Sequence, residues 1–162
     1  GWRNRHPGTL VLTEETGSAK NYNRDPYGSY EPPVSGHYSS DAGRQPNFPL
    51  LAYDGAESKR VVVGARTAAG AVAFDKRALM EASVLTGDLG DTPVVAVADE
   101  RITTGYVYAN PEGLDVERDG DAYAVDGTSA PPGELPLERR LAFDAMWFAW
   151  HGFYPDTERV GI

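Results

Sequence analysis

The side chains of this chain that could carry acid–base or nucleophilic chemistry are few. Cysteine is absent, so a thiolate nucleophile, a disulfide and a cysteine-bound metal are excluded. The histidines are His6, His37 and His151, and Ser35, His37 and Asp41 fall within seven residues. The members of a catalytic triad need separate supports, which neighbours in one loop rarely have, so this segment is better interpreted as a turn.

Aspartates in two stretches offer the hard oxygen ligands that calcium prefers. The two sets are Asp88 with Asp91, and Asp115, Asp119, Asp121 and Asp126. Neither set matches the EF-hand loop, and Asp and Gly also serve turn geometry, so we interpret both as solvated turns. The spacing of the histidines indicates no metal cluster. The sequence therefore predicts no metal site and no cofactor.

Aromatic and polar residues are densest between positions 22 and 38. Aromatic faces beside hydrogen-bonding groups are typical of sugar or peptide binding. The alternative is that the rings anchor an irregular arm to its own domain, since such an arm must gain burial somewhere. The candidate ligand-binding residues are Tyr22, Asp25, Tyr27, Tyr30 and His37.

The charge balance limits the classes of partner. The chain carries 24 acidic residues against 15 basic ones, for a net charge of −9. This balance opposes binding to nucleic acid or to an anionic membrane surface. Lysine supplies only three of the basic residues, Lys20, Lys59 and Lys76. Acidic, lysine-poor domains are typical of salt-loving organisms, in which salt screens the repulsion between carboxylates. No apolar run approaches the roughly 20 residues of a membrane span.

The length of 162 residues suits a single domain with one hydrophobic core. Residues 1–13 contain a strand-like alternation over Thr9 to Leu12 and form either a first strand or the tail of a preceding repeat unit. Residues 14–50 lack periodicity and are rich in proline and tyrosine, which indicates an ordered surface arm. Residues 51–162 form the β-rich core.

Within that core the pattern predicts an α+β fold, mainly antiparallel β sheet with a short internal helix and a C-terminal aromatic helix. The expected strands are 60–67 with 71–74, 92–98 with 104–109, and 114–118 with 122–125, the last pair joined at Asp119-Gly120. The expected helices are 76–82, capped by Asp75, and 141–153, on which Phe143, Trp147, Trp150 and Tyr154 share one face.

A short pattern, W-x4-P-x-T, occurs near both ends of the chain. It comprises Trp2, Pro7 and Thr9, and again Trp150, Pro155 and Thr157, 148 residues apart. The spacing predicts an internal repeat, with the tail of one unit at the start of the chain and the tail of the next unit at its end. Gly1 would then mark a processing boundary.

Residues 2–30 carry the strings W-x3-H-P-x-T-x-V-L, then T-G, then Y-x3-P-Y-x2-Y. On these strings the chain resembles the family called domain of unknown function 3179, and residues 145–160 and 59–79 are similar to its aromatic ending and its strand–turn region. The resemblance implies archaeal or bacterial proteins that are often exported and have no established activity. It also implies a Cys-Pro-Leu-Cys segment in fuller members, near residues 94–109 here, where no cysteine stands.

Three functional hypotheses remain open from the sequence. The first is a non-enzymatic extracytoplasmic domain of a halophile, structural or ligand-binding. The second is a metal-dependent or hydrolytic enzyme domain that uses His37 and loop aspartates. The third is a subunit of a cell-surface assembly, with self-association or another surface protein as its partner.

Overall fold

The computed structural model describes residues 2–10, 13, 15, 17 and 59–162. The chain divides into two compact units, Gly1–Ser39 and Ser40–Ile162. In the first unit, helix α1 spans Trp2–Arg5 and a turn follows at Pro7 and Gly8. The backbone N–H of Thr9 donates to the His6 carbonyl across this turn, at 3.1 Å. Thr9 and Leu10 lie outside any strand, while the rest of the predicted strand at Val11 and Leu12 lies outside the described residues.

The second unit is mostly β structure. Its elements are β1 (Val61–Arg66), β2 (Ala71–Asp75), α2 (Lys76–Ala82), β3 (Val84–Leu89), β4 (Thr92–Asp99), β5 (Thr104–Ala109), β6 (Val116–Asp119), β7 (Ala122–Val125), β8 (Thr128–Ala130), β9 (Glu138–Arg140), β10 (Ala142–Met146), α3 (Trp147–Phe153) and β11 (Glu158–Val160). The predicted α+β class with mainly antiparallel sheet is confirmed. Among the described residues, no helix has the length and apolarity that crossing a membrane requires.

The strands form three sheets. The first has the order β10-β1-β2-β11, the second β3-β4-β5-β9 and the third β6-β7-β8. Neighbouring strands run antiparallel, except that β11 lies parallel to β2. Helix α3 connects β10 at one edge of the first sheet to β11 at the other edge, so this connection crosses the sheet.

Alternation along the strands sends side chains into separate cores. In β1, Val63 enters the core between the first and second sheets, while Val62 faces α3 with Trp147 and Trp150. In β4, alternate residues enter that same first core and a further core with the third sheet. Strand β4 is thus covered on both faces, which explains why its sequence is a continuous apolar run rather than an alternating one.

Helix α2 matches its predicted bounds. Asp75 caps it, because its Oδ1 accepts from the backbone N–H of Ala78 at 2.7 Å. The predicted C-terminal helix is wrong in its first part, since residues 142–146 form β10 and the helix begins at Trp147. Strand β1 has a free edge that β10 covers by antiparallel pairing, and this long-range pairing overrides the helical periodicity. Phe143 therefore reaches Trp150 from a strand, with the ring centroids 5.6 Å apart.

Candidate ligand groove

An open groove of about 520 Å³ lies where the β1–β2 turn, the end of β3 and the connection from α3 to β11 meet. We call it the α3–β11 groove. The side chains that give it chemical character are Thr67, Asp88, Phe153, Tyr154, Asp156 and Glu158. Carboxylates and aromatic rings therefore line the same groove, and they come from β3, the end of α3, the α3–β11 connection and β11.

Two glycine turns form one wall of the groove. A Cβ on Gly70 would lie 2.8 Å from the backbone nitrogen of Gly90, so only glycine lets the two turns touch. Gly90 has a φ of 65°, in the region that favours glycine. Thr67 closes its own turn, because its N–H donates to the Gly70 carbonyl at 2.8 Å and its Oγ1 accepts from the Ala69 N–H at 3.2 Å. This wall is consequently formed before any ligand arrives.

The aromatic wall comes from the end of α3. The Tyr154 ring lies 4.7 Å from the Trp150 ring, between centroids, and the Arg66 guanidinium carbon lies 5.6 Å from the Tyr154 centroid. Tyr154 therefore contacts both a buried indole and a cation. Phe153, the last residue of α3, is 71% exposed. Phe153 therefore presents an exposed apolar ring at the groove.

Hydrogen bonds hold the connection after α3 in place. The Trp150 indole N–H donates to Thr157 Oγ1 at 3.0 Å, and the Thr157 N–H donates to the Tyr154 carbonyl at 3.1 Å. Glu158 Oε2 accepts from the Asp88 N–H at 2.8 Å. These bonds hold the connection in place and orient the Glu158 carboxylate, which reduces the ordering that ligand binding would otherwise require.

The β4–β5 turn is a second place where polar groups converge. Asp99 is only 3% exposed, and the Nε and Nη2 of Arg101 each donate to it at 3.1 Å. The Arg101 guanidinium holds the pKa of the Asp99 carboxyl below its ordinary value, against the opposing effect of burial. An ion pair between Asp99 and Arg101 thus closes the β4–β5 turn.

Close to this turn, Asp144 joins three elements. Its Oδ1 accepts from the Thr104 hydroxyl at 2.8 Å, and its Oδ2 accepts from the Lys76 ammonium at 2.6 Å. A hydroxyl beside a carboxylate has the form of a nucleophile with its base. Both carboxylate oxygens are nevertheless engaged, one by a cation, and the contacts tie β10 to α2 and β5. We therefore interpret this cluster as a structural contact between these elements and not as a catalytic site.

On the other side of the β4–β5 turn, Arg118 contacts Glu100 and also donates to Ser83 Oγ at 3.0 Å. The Arg118 guanidinium lowers the pKa of Glu100. Ser83 itself has a φ of 67°, which is unusual for a residue with a side chain. This contact links the third sheet to the end of α2.

The candidate residues Tyr22, Asp25, Tyr27, Tyr30 and His37 lie outside the described residues, so the predicted binding patch stays a prediction. The aspartates considered for calcium are described, and within residues 2–10, 13, 15, 17 and 59–162 no group of three or more histidines and acidic residues could hold a metal ion. His151 lies against the Trp147 ring, with centroids 4.9 Å apart, and its Nε2 is 3.3 Å from Arg159 Nη2.

Sequence reasoning missed the groove as a site. Its residues come from three distant segments, and none of them forms a motif by itself. The one available signal was the Trp150, Pro155 and Thr157 spacing, which marks the connection that closes the groove.

A family model described as protein of unknown function (DUF3179) matches residues 1–157. The chain belongs to this family. The resemblance seen in residues 2–30 is thus confirmed over nearly the whole DUF3179 chain. No curated protein and no solved structure matches it. The family description names no activity, so the function of this DUF3179 chain has to be inferred from the geometry of its groove.

Proposed function

We propose that this chain is a non-enzymatic, extracytoplasmic ligand-binding domain of a salt-loving organism and that the α3–β11 groove is its binding site. The observation that carries the proposal is the 71% exposed Phe153 ring beside carboxylates in a preformed groove. The family resemblance supports export, and the net charge of −9 with three lysines supports halophily.

The ligand class follows from the charge of the lining. Asp88, Asp156 and Glu158 bring negative charge to the groove, and Arg66, which contacts the Tyr154 ring, is not among the residues that line it. An aromatic face attracts a cation by about 0.5–2 kcal/mol, depending on how far the cation is desolvated. A small organic cation, with an ammonium or guanidinium group, would meet the Phe153 ring and the carboxylates together.

Titration of the ¹⁵N-labelled chain with choline, agmatine and glucose tests this proposal. We expect the two cations to shift the amide signals of residues 67–70 and 153–158, and the neutral sugar to leave them unchanged. Phe153→Ala should weaken binding of choline by about tenfold, the equivalent of 1.4 kcal/mol. Ile102→Ala is the matched control, because it removes another exposed apolar side chain, 61% exposed, from the β4–β5 turn.

Binding of glucose without choline would contradict the charge argument. Cation-induced shifts that survive Phe153→Ala unchanged would show that the ring is not part of the site.

The halophilic part of the proposal has its own test. Lowering KCl from about 3 M to about 0.1 M lengthens the Debye length roughly threefold or more and exposes the repulsion among carboxylates. The melting temperature should therefore fall. Sucrose is the control, because it strengthens burial without screening charge. A melting temperature that is unmoved by salt, or raised as much by sucrose, would contradict the proposal.

The hypothesis of a hydrolytic or metal-dependent site depends on His37, outside the described residues, and no described contact supports it. The hypothesis of a cell-surface assembly has one observation in its favour, the 96% exposure of Leu10 next to the first W-x4-P-x-T pattern.

A further inference from the structure

A second open groove, of about 580 Å³, lies between the β3–β4 pair and the chain that leads from β5 into β6. We call it the β3–β6 groove. Side chains alternate along a strand, so Val84, Thr86 and Asp88 share one face of β3, and all three line this groove. Leu114 and Val116 line it from the opposite side. Much of its lining is therefore apolar.

The wall that carries Leu114 is fixed by hydrogen bonds. The side-chain amide of Asn110 donates to the Leu114 carbonyl at 2.8 Å, and its Oδ1 accepts from the Leu114 N–H at 2.9 Å. The backbone N–H of Asn110 donates to the Pro93 carbonyl at 2.8 Å, which ties this wall to β4. Leu114 and Val84 also pack against the core between the second and third sheets. A ligand would consequently meet a wall that needs little ordering on binding.

The charged groups of the β3–β6 groove are all of one sign. Asp88 and Asp115 line it, both exposed to solvent. Among the described residues, no lysine, arginine or histidine is part of this lining. An apolar groove with carboxylates at its rim is complementary to a ligand that has an apolar body and a positive charge.

Asp88 belongs to both grooves. Its side chain lines the β3–β6 groove from the face of β3 that carries Val84 and Thr86. Its backbone N–H donates to Glu158 Oε2, and the two residues line the α3–β11 groove together. The end of β3 is thus a boundary that the two grooves share, with a carboxylate on it.

We infer that the ligand of this chain is an amphipathic organic cation, whose charged head lies at Asp88 in the α3–β11 groove and whose alkyl tail lies in the β3–β6 groove. This inference rests on the proposed function, because the head is the cation for which the α3–β11 groove is proposed. It adds that binding strength depends on the tail.

Titration with tetramethylammonium and hexyltrimethylammonium, which have the same kind of head, tests this inference. Each buried methylene should tighten binding by about fourfold, so we expect the hexyl compound to bind at least about tenfold more tightly. Both compounds should shift the amide signals of residues 67–70 and 153–158 of the ¹⁵N-labelled chain. Only the hexyl compound should also shift those of residues 84–86 and 113–116. The neutral 1-hexanol, which has the tail without the head, should bind more weakly than hexyltrimethylammonium.

Leu114→Ala should weaken binding of the hexyl compound by about threefold or more and leave tetramethylammonium unchanged, because it removes only tail contacts. Leu137→Ala is the matched control. Leu137 is also a partly buried leucine packed against the core between the second and third sheets, but it lines neither groove. It should leave both affinities unchanged. If Leu114→Ala does not melt cooperatively, Thr86→Gln, at an exposed position of the same groove, replaces it with the same expected selectivity.

Asp88→Asn should weaken binding of both cations by about twofold to fivefold, because it removes the shared charge. Asp91→Asn is its control, since Asp91 is exposed and lines neither groove.

Equal affinities for the two ammonium compounds would overturn the inference and leave the proposed function standing. Binding of 1-hexanol as tight as that of hexyltrimethylammonium would overturn the placement of the head at Asp88. Failure of every cation to bind would overturn the proposed function and this inference together.

Discussion

Gly64→Ala should destabilise the second unit through a single methyl group. Gly64 lies in the middle of β1, beneath the ring of Trp150, and a Cβ there would lie 2.4, 2.5 and 2.6 Å from three carbons of that ring. The ring cannot simply move aside, because its N–H is bonded to Thr157 and its faces and edges meet Tyr154 and Phe143.

The magnitude follows from two opposing effects. Overpacking a well-filled core costs about 1–3 kcal/mol. Replacing glycine by alanine inside a strand recovers about 0.5–1 kcal/mol, because alanine has less backbone freedom to lose. Three ring carbons lie far inside contact distance of this Cβ, so the overpacking cost is at the upper end of its range. The expected net loss of unfolding free energy is therefore about 2–2.5 kcal/mol, which lowers the melting temperature by roughly 4–10 °C in a chain of this length.

Urea unfolding followed by tryptophan fluorescence measures the change. Gly8→Ala is the control, because nothing lies within 4 Å of a Cβ at Gly8, and it should stay within about 0.5 kcal/mol of the parent chain. Trp150→Phe should relieve the clash, so the double variant should lose less than the sum of the two single variants. A Gly64→Ala chain as stable as the parent would contradict the packing of the Trp150 ring against Gly64 of β1.

Two further perturbations test the packing and the buried hydrogen bonds of the second unit. Thr157→Val keeps the shape of the side chain but leaves the buried Trp150 N–H without its acceptor. It should therefore cost about 1–3 kcal/mol in the free energy of urea unfolding. The control is Thr67→Val, at the exposed β1–β2 turn, which should cost less than about 0.5 kcal/mol. Equal losses in the two variants would contradict the role of the indole hydrogen bond. Burial raises the pKa of Tyr108 and of Tyr123, whose hydroxyls donate to the Pro132 carbonyl at 2.7 Å and to the Ala98 carbonyl at 2.9 Å. Because the pKa of each is higher in the folded chain than the unfolded value of about 10, the stabilisation is complete below that pH and is lost as the pH rises through the folded pKa. The unfolding free energy should therefore decline above about pH 10, and Tyr123→Phe should make this decline shallower. An unfolding free energy that does not decline above about pH 10 would contradict the effect of burial on these two tyrosines.

Local signals in the sequence predicted much of the second unit. Asp75 before an apolar-periodic segment predicted helix α2, and Asp119-Gly120 predicted the β6–β7 hairpin. The apolar run of β4 predicted a buried strand beside β5. In each case the residues that decide the structure are neighbours along the chain, so caps, turns and buried strands can be predicted from a short segment of sequence.

Pairing between distant segments could not be predicted from short segments of sequence. Residues 142–146 carry an aromatic spacing that suits a helix, yet they form β10 because β1 offers them an edge. Strands β9 and β11 have three residues each, which is too short for a recognisable strand pattern in the sequence. The α3–β11 groove depends on the β1–β2 turn meeting the end of β3, a contact between turns that no single segment encodes.

The sequence by itself determined the family, the β-rich class, the acidic and cysteine-free chemistry, and the repeated W-x4-P-x-T spacing, since each of these is a property of composition or of nearby residues. Only the tertiary structure decided which carboxylates share a groove with Phe153, and that the two repeated segments carry the same closing hydrogen bond. Sites of this kind are made by contacts between residues far apart in the chain, and those contacts exist only once sheets and helices have packed.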